Sequence, residues 1–343
     1  MRFNDSLTRA LLALAATAAL FAAPAFAPRA HAQEADKQGP PASKGEAELG
    51  EKINKAPDAA AKLALAEEFV KKYPKSAYRQ RLADYVAGEI DTVADPAQKI
   101  TLTEKYLAVF NAPAEAVLVT PGLVNLYVNA NRLDDAFRVG GSWLATNPEE
   151  VQTRAQLAIV GINEAQRQNA KYAPQSIDFA RQAVALLEGT KPASVDDARW
   201  GQLKTRWLPS LYQALGIVAY SQKNVAEARS HLDKAIALST TDPMTYFILA
   251  DMTDAEYADL AAKYKAMSPG AEQDAQLKLA MDKLDQAIDF YARAVALTEG
   301  RAEYAALRTH IMEPLTAYYK YRHNGSTDGL QQLIDKYKTA AKP

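Results

Sequence analysis

The chain has 343 residues, 48% of them hydrophobic and 24% charged, and it contains no cysteine. That excludes a disulfide framework, a thiolate metal site, a thiol nucleophile and a lipidated cysteine anchor. Forty Lys and Arg residues against 41 Asp and Glu leave a net charge of −1, so there is no basic field of the kind nucleic-acid binding uses. The length suits either two globular domains or one elongated repeat array.

Residues 1–32 read as a signal peptide. Arg2 and Arg9 form a positive start, Leu11 to Ala23 is an apolar run with Thr17 its one polar residue, and Pro24 and Pro28 end it. Ala30-His31-Ala32 supplies the small-x-small cleavage pattern, with cutting after Ala32. The run falls short of the ~20 residues that a spanning helix needs, and charged residues punctuate every later apolar stretch. The competing reading is an uncleaved amphipathic start. No Arg-Arg pair is present, so the general secretory route is expected, with a periplasmic or secreted destination. Residues 33–43, with Gly39-Pro40-Pro41, are too polar to offset ordering entropy and read as a disordered tether.

Residues 44–341 read as helix throughout. Apolar spacing predicts helices over 44–55, 57–73, 76–93, 95–110, 114–130, 133–146 and 148–169, then 174–188, 194–222, 225–239, 242–267, 270–299, 301–322 and 326–341. Asp95-Pro96, Asn147-Pro148 and Asp242-Pro243 mark starts, each a capping residue followed by a proline at the first helical position. No segment has strand alternation bounded by turns.

The chain contains an internal repeat. Ile177–Gly189 and Ile288–Gly300 align without a gap, and nine of their 13 positions are identical. Both close on a glycine suited to the left-handed residue after a helix. A weaker third copy spans His231–Leu238. Ahead of that copy, Tyr212, Leu215 and Gly216 are followed by Asn224-Val225, and then by Ala228, Leu232 and Ala235. Small residues at 216, 228 and 235 let two helices touch, while the larger ones fill the remaining space. This stretch resembles the tetratricopeptide repeat, a helix–turn–helix unit of about 34 residues. It departs from the pattern at Tyr220, where the mid-helix aromatic falls one place late, and at Thr240, which replaces a closing proline. Looser units flank it, one at Leu123–Pro148 and one running from Tyr246 to Ala294. The latter exceeds the norm by about 25 residues, with Ser268-Pro269-Gly270 at its tip, and reads as an extended hairpin arm. The resemblance implies an α-solenoid of about seven hairpins in a right-handed superhelix.

Residue patterns that carry chemistry are sparse. His231, His310 and His323 have no second histidine at helical spacing, so no metal pair is expected. No phosphate loop, Gly-x-Ser-x-Gly or His-Glu-x-x-His is present. Gly140-Gly141-Ser142 lies within a predicted helix and reads as a close-packing site. Glu67-Glu68, Asp134-Asp135 and Asp196-Asp197 are adjacent pairs that do not face one another on a helix. Trp200 and Trp207 are seven apart and read as core. Tyr318, Tyr319 and Tyr321 read equally as a cap or as a partner contact. No catalytic residue, cofactor or metal is expected.

The resemblance implies a non-enzymatic scaffold that binds a protein or peptide partner in a concave groove. With Gly216 as register mark, Ile217, Tyr220 and Ser221 face that groove. The equivalent places are Asn125, Val128 and Asn129 in one earlier unit, and Ile159, Ile162 and Asn163 in the next. Gln213 and Asp251 continue a polar line. The places that would clamp a terminal carboxylate hold Pro121, Ala155, Gln213 and Phe247, which are not basic, so an internal or extended segment is the expected ligand. Two alternatives stand beside this reading. One is an accessory subunit of an envelope assembly or secretion machine. The other is an enzyme acting on cell-wall or polysaccharide material with the superhelix as cradle, although repeats running to residue 341 leave no space for a separate catalytic module.

Overall fold

The computed structural model describes residues 42–238 and 241–338. The signal peptide and nearly all of the tether read from the sequence lie outside the described residues. The described chain is all helical: fifteen α-helices and two short 3-10 turns, with no strand among the described residues. None of these helices is long and apolar enough to cross a membrane.

The chain divides into two compact units, with the boundary inside one helix at 157/158. The first unit holds α1 (Lys44–Lys55), α2 (Ala59–Lys72), α3 (Arg79–Asp91), α4 (Pro96–Val109), the single turn α5 (Pro113–Ala116), α6 (Thr120–Asn129), α7 (Leu133–Thr146) and the start of α8 (Val151–Gln166). Consecutive helices pack together (α1 on α2, α2 on α3, α3 on α4, α6 on α7), and α4 also packs on both α2 and α6. Leu49, Ile53, Leu63, Phe69, Val86 and Tyr106 fill its core. Glu115 ties the middle of the unit together. It accepts from Arg79 Nε at 2.5 Å and Arg79 Nη2 at 3.0 Å, and from the Ala112 amide at 3.0 Å. Burial pushes the Glu115 carboxyl up, but the Arg79 hydrogen bond, the Ala112 amide and the Arg79 charge outweigh it, and the net direction is down.

Two local departures from the sequence reading occur here. The helix expected over 114–130 breaks at Val117–Val119. Pro121 has no N–H to offer the Val117 carbonyl, and its ring disfavours a helical residue before it, so α6 restarts as a separate helix. Asn147 does not start a helix. Its side chain instead donates back to the Trp143 carbonyl at the end of α7, at 3.0 Å. Glu150 caps α8 in its place, accepting from the Thr153 amide at 2.7 Å and the Gln152 amide at 3.2 Å.

The second unit holds the rest of α8, then α9 (Ala173–Glu188), α10 (Asp197–Ser221), α11 (Val225–Ala237), α12 (Pro243–Ala266), α13 (Ala271–Leu297), α14 (Ala305–Arg322) and α15 (Leu330–Lys338). Each helix from α9 to α13 packs on its successor, and α10 also meets α12, as α13 meets α15. Asp242 caps α12 as expected, accepting from the Met244 amide at 2.8 Å. Three of the nine identical positions of the internal repeat are buried in both copies: Phe179, Ala183 and Val184 in α9, and Phe290, Ala294 and Val295 in α13. The closing glycines differ. Gly300 is left-handed at φ 71°, whereas Gly189 is at φ −77° and leads into an extended run toward Pro192.

Gly216 sits where two helices come closest. A Cβ placed there would meet Leu232 Cδ2 at 2.6 Å and the Ala228 carbonyl at 3.4 Å. Gly140 does the same work in the first unit, against Leu157 and Val124. Trp200 and Trp207 are buried.

α12 and α13 form the extended hairpin. They have 24 and 27 residues, about 36 and 40 Å at 1.5 Å per residue, and are joined through Met267–Gly270. Gln273 Nε2 donates to the Tyr264 and Met267 carbonyls, and Gln276 Nε2 to Leu260, which clamps the two strands of the arm antiparallel. Buried residues stop at Thr253 on the way out and resume at Ala280 on the way back.

Candidate functional site

The base of that hairpin carries a face of acids and tyrosines. Asp251 and Asp254 are three residues apart on α12, so they project from one side of the helix. Tyr220, at the end of α10, donates its hydroxyl to Asp251 Oδ2. Tyr318 of α14 donates to Asp254. Tyr257, one turn beyond Asp254, meets the Tyr318 ring edge-on with centroids 6.0 Å apart. From α13, Tyr291 points at the same place. It is 2% exposed and lies in the field of Asp254, Asp251, Tyr318 and Tyr220. Four helices thus deliver two carboxylates and four phenols to one half-buried patch.

The electrostatics follow from burial. Burial pushes the Asp254 carboxyl up, and the like charge of Asp251 adds to the push, while the Tyr318 hydroxyl opposes both. Burial raises the Tyr318 and Tyr291 phenols above their ordinary range, and the nearby carboxylates raise them further. No Lys or Arg among the described residues pairs with Asp254. The nearby cations are engaged elsewhere. Arg322 holds Asp285 through Nε at 2.6 Å and Nη2 at 2.8 Å. Arg229 and Lys283 both hold Glu256, at 2.8 and 2.6 Å.

No protein-family model matches this chain, and no curated protein matches it.

The residues expected to line a groove are distributed unevenly. Tyr220 and Asp251 meet directly. Gln213 is half-buried on α10, two turns before Tyr220 and so on the same side. Asn163 is half-buried on α8. In the first unit, Asn129 is exposed at the end of α6, and Asn125 accepts from Gln156 Nε2 at 2.7 Å. Asn125 therefore has one of its two acceptor sites engaged within the unit. Ile162 and Ile217 are buried and offer core packing, not groove surface.

Sequence reasoning missed Asp254, Tyr257 and Tyr291 and left Tyr318 undecided. The Asp251-x-x-Asp254-x-x-Tyr257 spacing was legible as one side of a helix. That Tyr291 and Tyr318 meet that side was not, since they lie on other helices. The histidines take part in packing. His231 lies 3.6 Å from Glu227 and beside the Tyr212 ring, and His323 stacks on Tyr319 at 3.8 Å. No three His, Asp or Glu groups among the described residues are placed to hold a metal ion. A cleft of about 300 Å³ opens between Thr241, Ala296, Glu299, Arg301 and Lys338. Its charges are satisfied locally, Lys338 by Glu299 and Arg301 by Glu303.

Proposed function

We propose that this chain is a scaffold of the tetratricopeptide type, exported to the periplasm or beyond by residues 1–32, that binds an extended peptide segment of a protein partner and performs no chemistry of its own. The observation that carries the reading is the pairing of first helices. α10 lies against α12 as well as against its own partner α11, which is how stacked hairpins present one helix from each unit side by side. Gln213, Tyr220 and Asp251 then belong to one polar line along the presented surface. The seating of Leu232 and Ala228 against Gly216 supports the same register. Under this reading Asn129 and Asn163 supply further backbone-binding amides in their own units, since an amide both donates and accepts.

A displayed library of random twelve-residue peptides, selected on the full chain, tests the proposal. Enriched peptides should be held about tenfold less tightly by the double variant Asn163→Ala/Gln213→Ala, the loss of two modest hydrogen bonds, with thermal melting unchanged. A library that yields no peptide would overturn the scaffold reading. So would turnover of peptidoglycan or polysaccharide fragments by the purified chain, which would favour the enzyme alternative. Export is tested by N-terminal mass analysis: the exported chain should begin at Gln33, and intact Met1 confined to the cytosol would remove the assigned address.

A further inference from the structure

We infer that α9 carries a docking line for a short amphipathic helix of a partner protein, one that ends in Tyr-Lys as α15 does. This goes beyond the scaffold reading and uses none of the residues assigned to the peptide groove. The starting point is the internal repeat. Ile177–Gly189 matches Ile288–Gly300, and helical spacing puts Asp178, Gln182 and Ala185 on one side of α9, as it puts Asp289, Arg293 and Ala296 on one side of α13. The Asp and the Ala are the same in both lines, and only Gln182 and Arg293 differ.

In α13 that line is a seat for a helix. α15 packs on α13. The Tyr337 hydroxyl donates to Asp289, Arg293 lies over the Tyr337 ring at 4.5 Å, and Ala296 is 6% exposed. Past the end of α13, Lys338 holds Glu299 at 2.5 Å. α15 brings Leu330, Ile334 and Tyr337 to the contact side, at spacings of four and three, and all three are buried. In α9 the corresponding line is open: Asp178, Gln182 and Ala185 are exposed. Only its far end is taken. Glu188, the counterpart of Glu299, accepts the Tyr212 hydroxyl and lies 3.7 Å from Lys234 of α11. Asp178 to Ala185 spans two turns, about 10 Å, enough for one helix to cross. Core packing accounts for the matching Phe, Ala and Val of the two copies. It does not account for Asp178 and Ala185, which face solvent in α9.

The α13 seat states the chemistry of what fits. The line offers a carboxylate that takes a phenol hydroxyl and, two turns on, an alanine low enough for an apolar side chain to lie across it. A helix with apolar residues at spacings of four and three, the last of them Tyr and then Lys, supplies both and sets a cation near Glu188. The chain's own α15 stays on α13, where Arg293 adds a cation over the ring that Gln182 does not offer.

The test uses the full chain and a fluorescein-labelled peptide of the sequence 327–338. So short a helix is marginal in water, so it is held by a lactam between Gln331→Lys and Asp335, both on the exposed side of α15. Binding is read by anisotropy. Asp178→Ala should weaken it about tenfold, and Ala185→Arg should abolish it. Both residues are exposed, so melting should not change. Tyr337→Phe in the peptide should also cost about tenfold against the parent chain, and nothing further against Asp178→Ala, since the two groups form one hydrogen bond. No binding up to about 1 mM peptide, or binding indifferent to Asp178→Ala and Ala185→Arg, overturns the inference. So does weakening by Asp289→Ala, which would mean that the peptide displaces α15 from α13. Weakening by Asn163→Ala/Gln213→Ala would place the peptide in the groove, overturning the inference while leaving the scaffold reading in place. A chain that dimerises in sedimentation, and ceases to with Ala185→Arg, would make a second copy the occupant and overturn the choice of partner.

Discussion

Single residues carry distinct jobs here, and three of them make checkable statements. Glu115 is almost fully buried and bonded twice to Arg79. Removing its charge leaves the guanidinium only partly solvated and without its anion. Glu115→Gln should therefore destabilise the chain by about 2–4 kcal/mol, somewhat under the full cost of breaking a buried pair because Arg79 stays partly exposed. A chemical-denaturation series would measure it. Gly216 has no space for a side chain, and Leu232, which it touches, is fully buried. Gly216→Leu should cost roughly 1–3 kcal/mol by overpacking, and a variant as stable as the parent would take Gly216 out of the helix interface. Asp254 behaves oppositely to a salt-bridged acid. Its folded-state pKa is raised by burial, so the folded chain holds that proton more tightly than the unfolded one. The contribution to stability is fully present below the ordinary Asp value and is lost as pH rises through the raised value. Asp254→Asn should accordingly raise the melting temperature at pH 7, with the gain vanishing toward pH 4. A gain independent of pH would contradict the assignment.

At the scale of elements, the same residue type acts differently by context. Pro121 ends a helix that the apolar pattern would have continued, whereas Pro209 and Pro314 lie inside α10 and α14 without stopping them. Leu208, Leu211, Ile311 and Leu315, buried on either side of those prolines, hold the interrupted turns in place. The long hairpin shows the converse. Between Asp254 and Leu279 it contains no buried residue; Glu256 and Tyr257 still reach Arg229 and Tyr318 on neighbouring helices, and beyond them glutamine clamps join the two helices. Removing seven residues from each side, 258–264 and 272–278, takes out two matched turns. The shortened chain should keep a cooperative melt within a few degrees of the parent, since no core side chain is lost. Loss of cooperativity in a circular-dichroism melt would show that the arm contributes to the core.

For the molecule as a whole, each unit has its own apolar core, Leu49 to Val119 in one and Ile217 to Tyr337 in the other. Tyr337 binds the last helix to its unit. Its hydroxyl donates to Asp289, and Arg293 lies over its ring at 4.5 Å. Far-UV circular dichroism of the full chain should be dominated by helix, without a measurable sheet component, and an appreciable sheet signal would contradict the fold.

Much of this was legible in the amino-acid order, and the reason is local. Apolar residues at helical spacing, capping residues such as Asp95 and Asp242, and small residues at 216 and 228 act over one to five turns of chain, so their consequences are written next to them. The length of the α12–α13 hairpin was legible for the same reason. What the sequence could not decide was convergence. Tyr220, Asp254, Tyr291 and Tyr318 span nearly a hundred positions on four helices, and only the packing of those helices brings their polar ends to one patch. The Asn125–Gln156 hydrogen bond, and the transfer of the α8 cap from Asn147 to Glu150, were settled the same way. A side chain's partner is fixed by which neighbours tertiary packing leaves within about 3 Å of it, and separation along the chain says little about that.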